Sequence, residues 1–146
     1  MSKHINEILV PVDGSENSIR SAVFAMEMAN AMGIGVRLFY VFPAASVEVI
    51  GIAGMSRADI DQAAQSAAQR AFDKTREGVG EAMIDKVEQE TSVGDPAEEI
   101  IRFTEDDNAV MVVIGRRGLS RMRSLMLGSV SDKVLRHAKS PVTVIT

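Results

Sequence analysis

The sequence predicts an α/β domain, a doubly wound, mostly parallel five-stranded sheet with four helices. Three observations carry that expectation. Apolar runs at residues 8–12 (ILVPV), 36–42 (VRLFYVF), 109–114 (AVMVVI) and 141–145 (PVTVI) read as strands, and segments of helical period separate them. The run at 109–114 is apolar at every position, as a central parallel strand covered on both faces requires. Strands joined through helices become parallel neighbours by right-handed crossovers. At 146 residues the chain fits one domain, 1–146, whose core buries roughly two-thirds of the unfolded surface.

The elements follow in order. Residues 8–12 end at Asp13-Gly14-Ser15, a turn and helix-cap sequence. Ile19, Ala22, Val23, Met26 and Ala29 then recur at helical spacing up to Gly33, which supplies the stop. The second strand, 36–42, closes at Pro43. Residues 43–55 hold two glycines and show no steady period, so they read as a loop. Ser56-Arg57-Ala58-Asp59 approaches a capping box ahead of a long alanine-faced helix ending in the Ala71-Phe72 region and beyond. Residues 87–93 alternate weakly and carry many polar groups, as an edge strand does. Asp95-Pro96-Ala97-Glu98 opens the next helix with an acidic cap and proline at its first position. After the 109–114 strand come a long loop, a helix over about 129–137 and the last strand.

Composition narrows the function. Hydrophobic residues make up 46% and charged residues 25%, the balance of a folded globular domain. The absence of cysteine excludes disulfides, thiol catalysis and thiolate metal sites, and fits a reducing compartment. Residues 1–7 are polar and lead straight into Ile8, so no export signal is expected and the cytoplasm is the expected location. The longest apolar run is far shorter than the about 20 residues a membrane helix takes, so membrane insertion is not expected. A net charge of −4 argues against nucleic-acid binding. His4 and His137 have no acidic or cysteine cluster beside them, so no transition-metal site is assigned.

In a doubly wound sheet ligands sit at the carboxyl ends of strands, where the strand order reverses. The loop after Ile114 reads Gly115-Arg116-Arg117-Gly118, then nine residues, then Gly128-Ser129-Val130-Ser131, the pattern G-x2-G-x9-G-S. Glycines let backbone N–H groups approach a phosphate, and a helix starting near Ser129 aims free N–H groups and its positive end at the same anion. Hydroxyls of Ser129 and Ser131 add donors. Arg116, Arg117, Arg121 and Arg123 crowd this loop of an acidic chain. Each feature alone has a structural explanation, a strand exit or a helix cap; together they favour phosphate binding.

The string GRRGLSRMRSLMLGSVSDKVLRHAKSPVTVIT, with ILVPVDGSENS at the start and VGDPAEEII between, closely resembles the universal stress proteins over nearly the whole chain. The resemblance implies their Rossmann-like fold and, through the glycine pattern, the branch that binds ATP. It places the backbones of Val12 and Val41 near the adenine and Pro11 in the pocket wall. Asp13 falls near the ribose and phosphates, where it could help hold Mg or Mn accompanying the nucleotide. Gly115, Arg116 and Gly118 border the ribose and phosphates, and Gly128, Ser129, Val130 and Ser131 bind the phosphate tail. Some ATP-binding relatives carry Thr at the position of Val12, so a side-chain hydrogen bond from there is missing.

The function so implied is an ATP-binding regulatory or signalling module of the stress response. The alternatives are a slow ATPase or self-phosphorylating enzyme, and a nucleotide-dependent adaptor of a membrane transporter. Phosphoryl transfer needs a residue that orients the nucleophile, and no base is evident in the motif, so binding leads. No Walker A sequence and no SGGxDS loop is present. The resemblance also implies a homodimer or higher homo-oligomer paired through the last strands, and a regulatory protein or transporter as partner.

Overall fold

The computed structural model describes residues 4–107, 109–117 and 127–146. The chain runs from β1 (Glu7–Pro11) through α1 (Glu16–Met32) to β2 (Gly35–Pro43). Two helices follow, α2 (Ala44–Ile52) and α3 (Arg57–Val79), then a short 3-10 turn and β3 (Val87–Gly94). The remainder is α4 (Pro96–Asp106), β4 (Val110–Gly115), α5 (Ser129–His137) and β5 (Val142–Ile145). Every strand pairing is parallel, in the order β3-β2-β1-β4-β5. The chain therefore steps outward from β1 to β2 and β3, then returns to the other side of β1 for β4 and β5. The strand order reverses between β1 and β4, and a crevice opens at their carboxyl ends.

Alternation along the central strands divides the core between the two faces of the sheet. Ile8, Val10, Val36, Leu38 and Val113 pack under α1 and α3, against Ala25, Met26, Ala68 and Phe72. Leu9, Phe39, Val110, Val112 and Ile114 pack under α4 and α5, against Ala97, Ile100 and Val134. β4 is buried at five of its six positions, which is why its sequence shows no alternation. The edge strand β3 is charged instead. Its Glu88 and Glu90 join Glu7 of β1 around Arg37 of β2, with Arg37 Nε 2.9 Å from Glu7 and Nη2 2.8 Å from Glu88. Hydrogen bonding to Glu7 holds the guanidinium charged against the opposing effect of its burial. The network ties three neighbouring strands on the α4 face, where the ring of Phe103 lies 5.9 Å from the guanidinium carbon.

Helix ends follow the sequence signals with two exceptions. Ser15 caps α1, and Gly33, at φ 70, ends it. Ser56 and Asp59 complete a reciprocal capping box on α3, and Asp95 caps α4 ahead of Pro96. The first exception is α2, which forms where the sequence predicts a loop. None of its nine residues is buried, so no one-sided burial imposes an apolar stripe, and the period by which a helix is recognised is missing. The second is the start of α5. Its N-cap is Gly128, and among the described residues no side chain caps it.

Candidate functional site

The site begins where β1 ends. Asp13 Oδ1 accepts the N–H of Ser15 at 2.9 Å, and Ser15 Oγ accepts the N–H of Ser18 at 3.2 Å, so the turn after β1 closes directly into α1. Val12 donates its N–H to Phe39 O at 2.9 Å, which extends the β1–β2 pairing by one residue. Across the crevice the exit of β4 is pinned from three sides through the main chain of Arg116. Its N–H donates to Ile145 O at 2.8 Å, and its carbonyl accepts from the N–H of Gly128 at 2.8 Å and from Ser131 Oγ at 2.7 Å. These bonds bring the first turn of α5 against the exit of β4.

Two glycines stand here in tight quarters. A Cβ at Gly128 would stand 3.1 Å from Arg116 O and 3.5 Å from Arg117 Cα. A Cβ at Gly115 would stand 3.0 Å from Asn17 Cβ, against the start of α1. The glycine spacing thus serves the packing of the loop on itself and on α1.

At α5 the first intrahelical bond in this turn runs from the N–H of Asp132 to Gly128 O. The N–H groups of Ser129, Val130 and Ser131 have no partner within the helix. The helices α1, α3 and α4 each meet this need with a side-chain cap, whereas α5 shows none among the described residues. Its uncapped end opens on a cleft of about 950 Å³ between the carboxyl ends of β1, β2 and β4 and the amino ends of α4 and α5.

Of the residues expected at the site, Pro11, Val12, Asp13, Val41, Gly115, Gly128, Ser129, Val130 and Ser131 all line this cleft. Arg116 does not: with its main chain held at three points, it yields the lining position to Arg117. Gly118, like Arg121 and Arg123, lies outside the described residues. Ser131 departs from its expected part as a donor, because its hydroxyl is 2.7 Å from Arg116 O and 3.1 Å from Gly128 O and its residue is 2% exposed. Its proton serves the loop. Ser129 is exposed and carries no such bond among the described residues.

The cleft also contains residues that sequence reasoning did not assign to it. Phe39, Ile100 and Ile114 look like core positions in the sequence, and they are buried, yet each also forms cleft wall. Pro43 and Pro96 enter from the ends of β2 and α4, and Tyr40, Asp132 and Arg136 add polar groups. Burial pushes the Tyr40 phenol above its ordinary value, opposed by the Arg70 guanidinium and assisted by the Asp13 carboxylate. The group therefore stands as a neutral hydroxyl near neutral pH. Asp132 is bonded to Arg136 Nε at 3.0 Å one helical turn away. Among the described residues no three His, Cys, Asp or Glu side chains form a metal-holding group, and no helix is long and apolar enough to cross a membrane.

Comparison with known proteins agrees with this architecture. The sequence model of the universal stress protein family matches residues 4–146. Universal stress protein MJ0531 of Methanocaldococcus jannaschii is 30% identical over 143 residues, covering 95% of this chain and 81% of the relative. Universal stress protein YxiE of Bacillus subtilis is 28% identical over 146 residues, covering 96% and 98%. Among solved structures, that of MJ0577 superposes with a TM-score of 0.78 at 21% identity, covering 97% of this chain and 95% of the other. A universal stress protein solved in complex with cAMP gives 0.69 at 22% identity, covering 99% of each. One from Archaeoglobus fulgidus, solved in complex with dAMP, gives 0.59 at 22% identity, covering 99% and 100%. At these identities the structural likenesses establish the fold, and the family match over almost the entire chain establishes the lineage: this chain belongs to the universal stress protein family.

Proposed function

We propose that the chain binds ATP in the cleft between β1 and β4 and acts as a regulatory module whose nucleotide state is read by a partner, a signalling protein or a membrane transporter. The observation that carries this reading is the uncapped start of α5, which turns three N–H groups and the positive end of the helix toward the cleft at the point where the strand order reverses. Arg117 adds a guanidinium group to the lining, a donor suited to a phosphate, while Arg136 is paired with Asp132. Pro11, Val41 and Ile114 offer apolar walls suited to a flat base. The complexes of two structural relatives with cAMP and dAMP support an adenine nucleotide as the ligand class.

Asp13 fits a divalent cation that arrives with phosphates. Mg is typically held by one or two carboxylates plus substrate oxygens and water, and Asp13 is a cleft carboxylate with one oxygen already accepting Ser15 N–H. Binding is favoured over turnover because both cleft carboxylates are already engaged, Asp13 with Ser15 and Asp132 with Arg136, and neither is set up as a base. Hydrolysis is accordingly expected to fall well below the roughly 1 to 100 per second of kinases.

Calorimetric titration of the parent and of Gly128→Val with ATP tests the reading. The valine would press on Arg116 O and Arg117 and displace the start of α5, so binding should be lost. Circular dichroism must first show native helix content in the variant. If the folded variant binds ATP as tightly as the parent, the phosphate site lies elsewhere.

A further inference from the structure

The first-turn carboxylates of α3 and α5 turn in opposite directions. In α3 the carboxylate of Asp59 reaches back over the helix start and accepts the N–H of Ser56 at 3.0 Å, which closes that end. In α5 the first-turn acid is Asp132, and it pairs forward along the helix instead. Its two oxygens lie 3.2 and 3.0 Å from Nε of Arg136, one helical turn on, and among the described residues no side chain caps the start of α5. Asp132 and Arg136 both line the cleft. A helical side chain leans toward the N-terminus of its helix, so Arg136 reaches back to meet the carboxylate.

This pair contributes little as a surface salt bridge, because its side chains are 45% and 70% exposed and solvent screens such contacts. Its effect on the cleft is larger. An unpaired carboxylate in the first turn would be attracted by the same N–H groups of Ser129, Val130 and Ser131, and by the same positive helix end, that would hold a phosphate. It would compete with the anion for the helix start and, at less than a Debye length, repel it. We infer that Arg136 is a positioning residue: by holding and neutralising the Asp132 carboxylate it keeps the start of α5 open to an anion and sets how much phosphate charge the cleft accepts. This role belongs to the cleft read as a nucleotide site and rests on that reading. Repulsion from a bare carboxylate grows with the charge of the ligand, so the pair discriminates by phosphate number, favouring a triphosphate over a monophosphate.

The test is calorimetric titration of ATP and of AMP, with and without Mg, into the parent, Arg136→Gln, Asp132→Asn and the double variant. Both side chains are largely open to solvent, so all four proteins should show the same circular dichroism. Arg136→Gln should weaken ATP about tenfold and AMP by no more than about threefold. Asp132→Asn should bind ATP at least as tightly as the parent. The double variant should return to within about twofold of the parent, because removing the carboxylate removes the need for its partner. A double variant as weak as Arg136→Gln would overturn the inference, since the arginine would then serve the phosphates directly. Equal losses for ATP and AMP in Arg136→Gln would do the same. So would a loss in Asp132→Asn confined to Mg-containing buffer, which would make the carboxylate a metal ligand. A parent that binds neither nucleotide would sink the functional reading along with this role, whereas a parent that binds ATP while the double variant is not restored would sink the role of Arg136 alone.

Discussion

Ser129 and Ser131 stand two residues apart in the same helical turn, yet their hydroxyls face different tasks. Ser131 donates to the carbonyls of Arg116 and Gly128 from a nearly closed position, and Ser129 is exposed at the mouth of the cleft. Ser131→Ala is expected to cost about 1 to 2 kcal/mol of stability, since it removes a buried donor and leaves Arg116 O with one partner. ATP affinity should fall with it. Ser129→Ala should leave the denaturant midpoint unchanged and lower affinity by up to about tenfold, the equivalent of one hydrogen bond. Paired chemical denaturation and calorimetry separate the two, and equal stability losses in both variants would contradict the division of roles. The spacing of the glycine motif made both serines legible as site residues. It could not reveal the direction of a hydroxyl, which depends on where Arg116 O lies after the chain has folded. The same limit explains Arg116 and Arg117: adjacent arginines are equivalent in sequence until main-chain bonds fix one of them.

Elements were legible where burial is one-sided or complete, and illegible where it is absent. The apolar stripes of α1 and α3 exist because each helix lies on the sheet, and the unbroken apolar run of β4 exists because both its faces are covered. The helix α2 touches no core, so its residues carry no period and only a loop was predicted there. Phe39 and Ile100 were hidden for the converse reason, being core residues whose outer ends happen to wall the cleft. The capping box of α3 gives a pH test at this scale. Backbone hydrogen bonding from Ser56, with the serine hydroxyl second, holds the Asp59 carboxyl below its ordinary range. A carboxyl whose value is lower in the folded chain stabilises it fully above the unfolded value and loses that effect as pH falls through the folded one. Asp59→Asn should therefore lower the urea midpoint at pH 7, and the gap from the parent should close on acidification through the carboxylate range. A gap that stays constant down to pH 2 would mean that the ionised carboxylate contributes nothing to the cap.

At the scale of the whole molecule, the two ends of the sheet are unequal. The β3 edge presents Glu88 and Glu90, locked to Arg37, and charged side chains of this kind discourage pairing with another strand. The β5 edge reads VTVI, without a charge, and all four residues are only partly covered. Its inner side is occupied: Val112 N–H donates to Pro141 O and Arg116 N–H to Ile145 O, so by the alternation of a parallel ladder Val142 and Val144 turn their N–H groups outward. An uncharged edge with free donors invites a second β5, and a homodimer through this strand is the expected assembly. Val144→Pro tests it with little disturbance to the core, because proline removes an outward donor, keeps an apolar ring over the partly buried position and is tolerated on edge strands. The variant should retain native circular dichroism and lose the β5 contact, which light scattering reads as a halved mass and hydrogen exchange as faster exchange at the amides of β5. Should Val144→Pro keep both the parent mass and slow exchange along β5, the last strand is not where two copies meet.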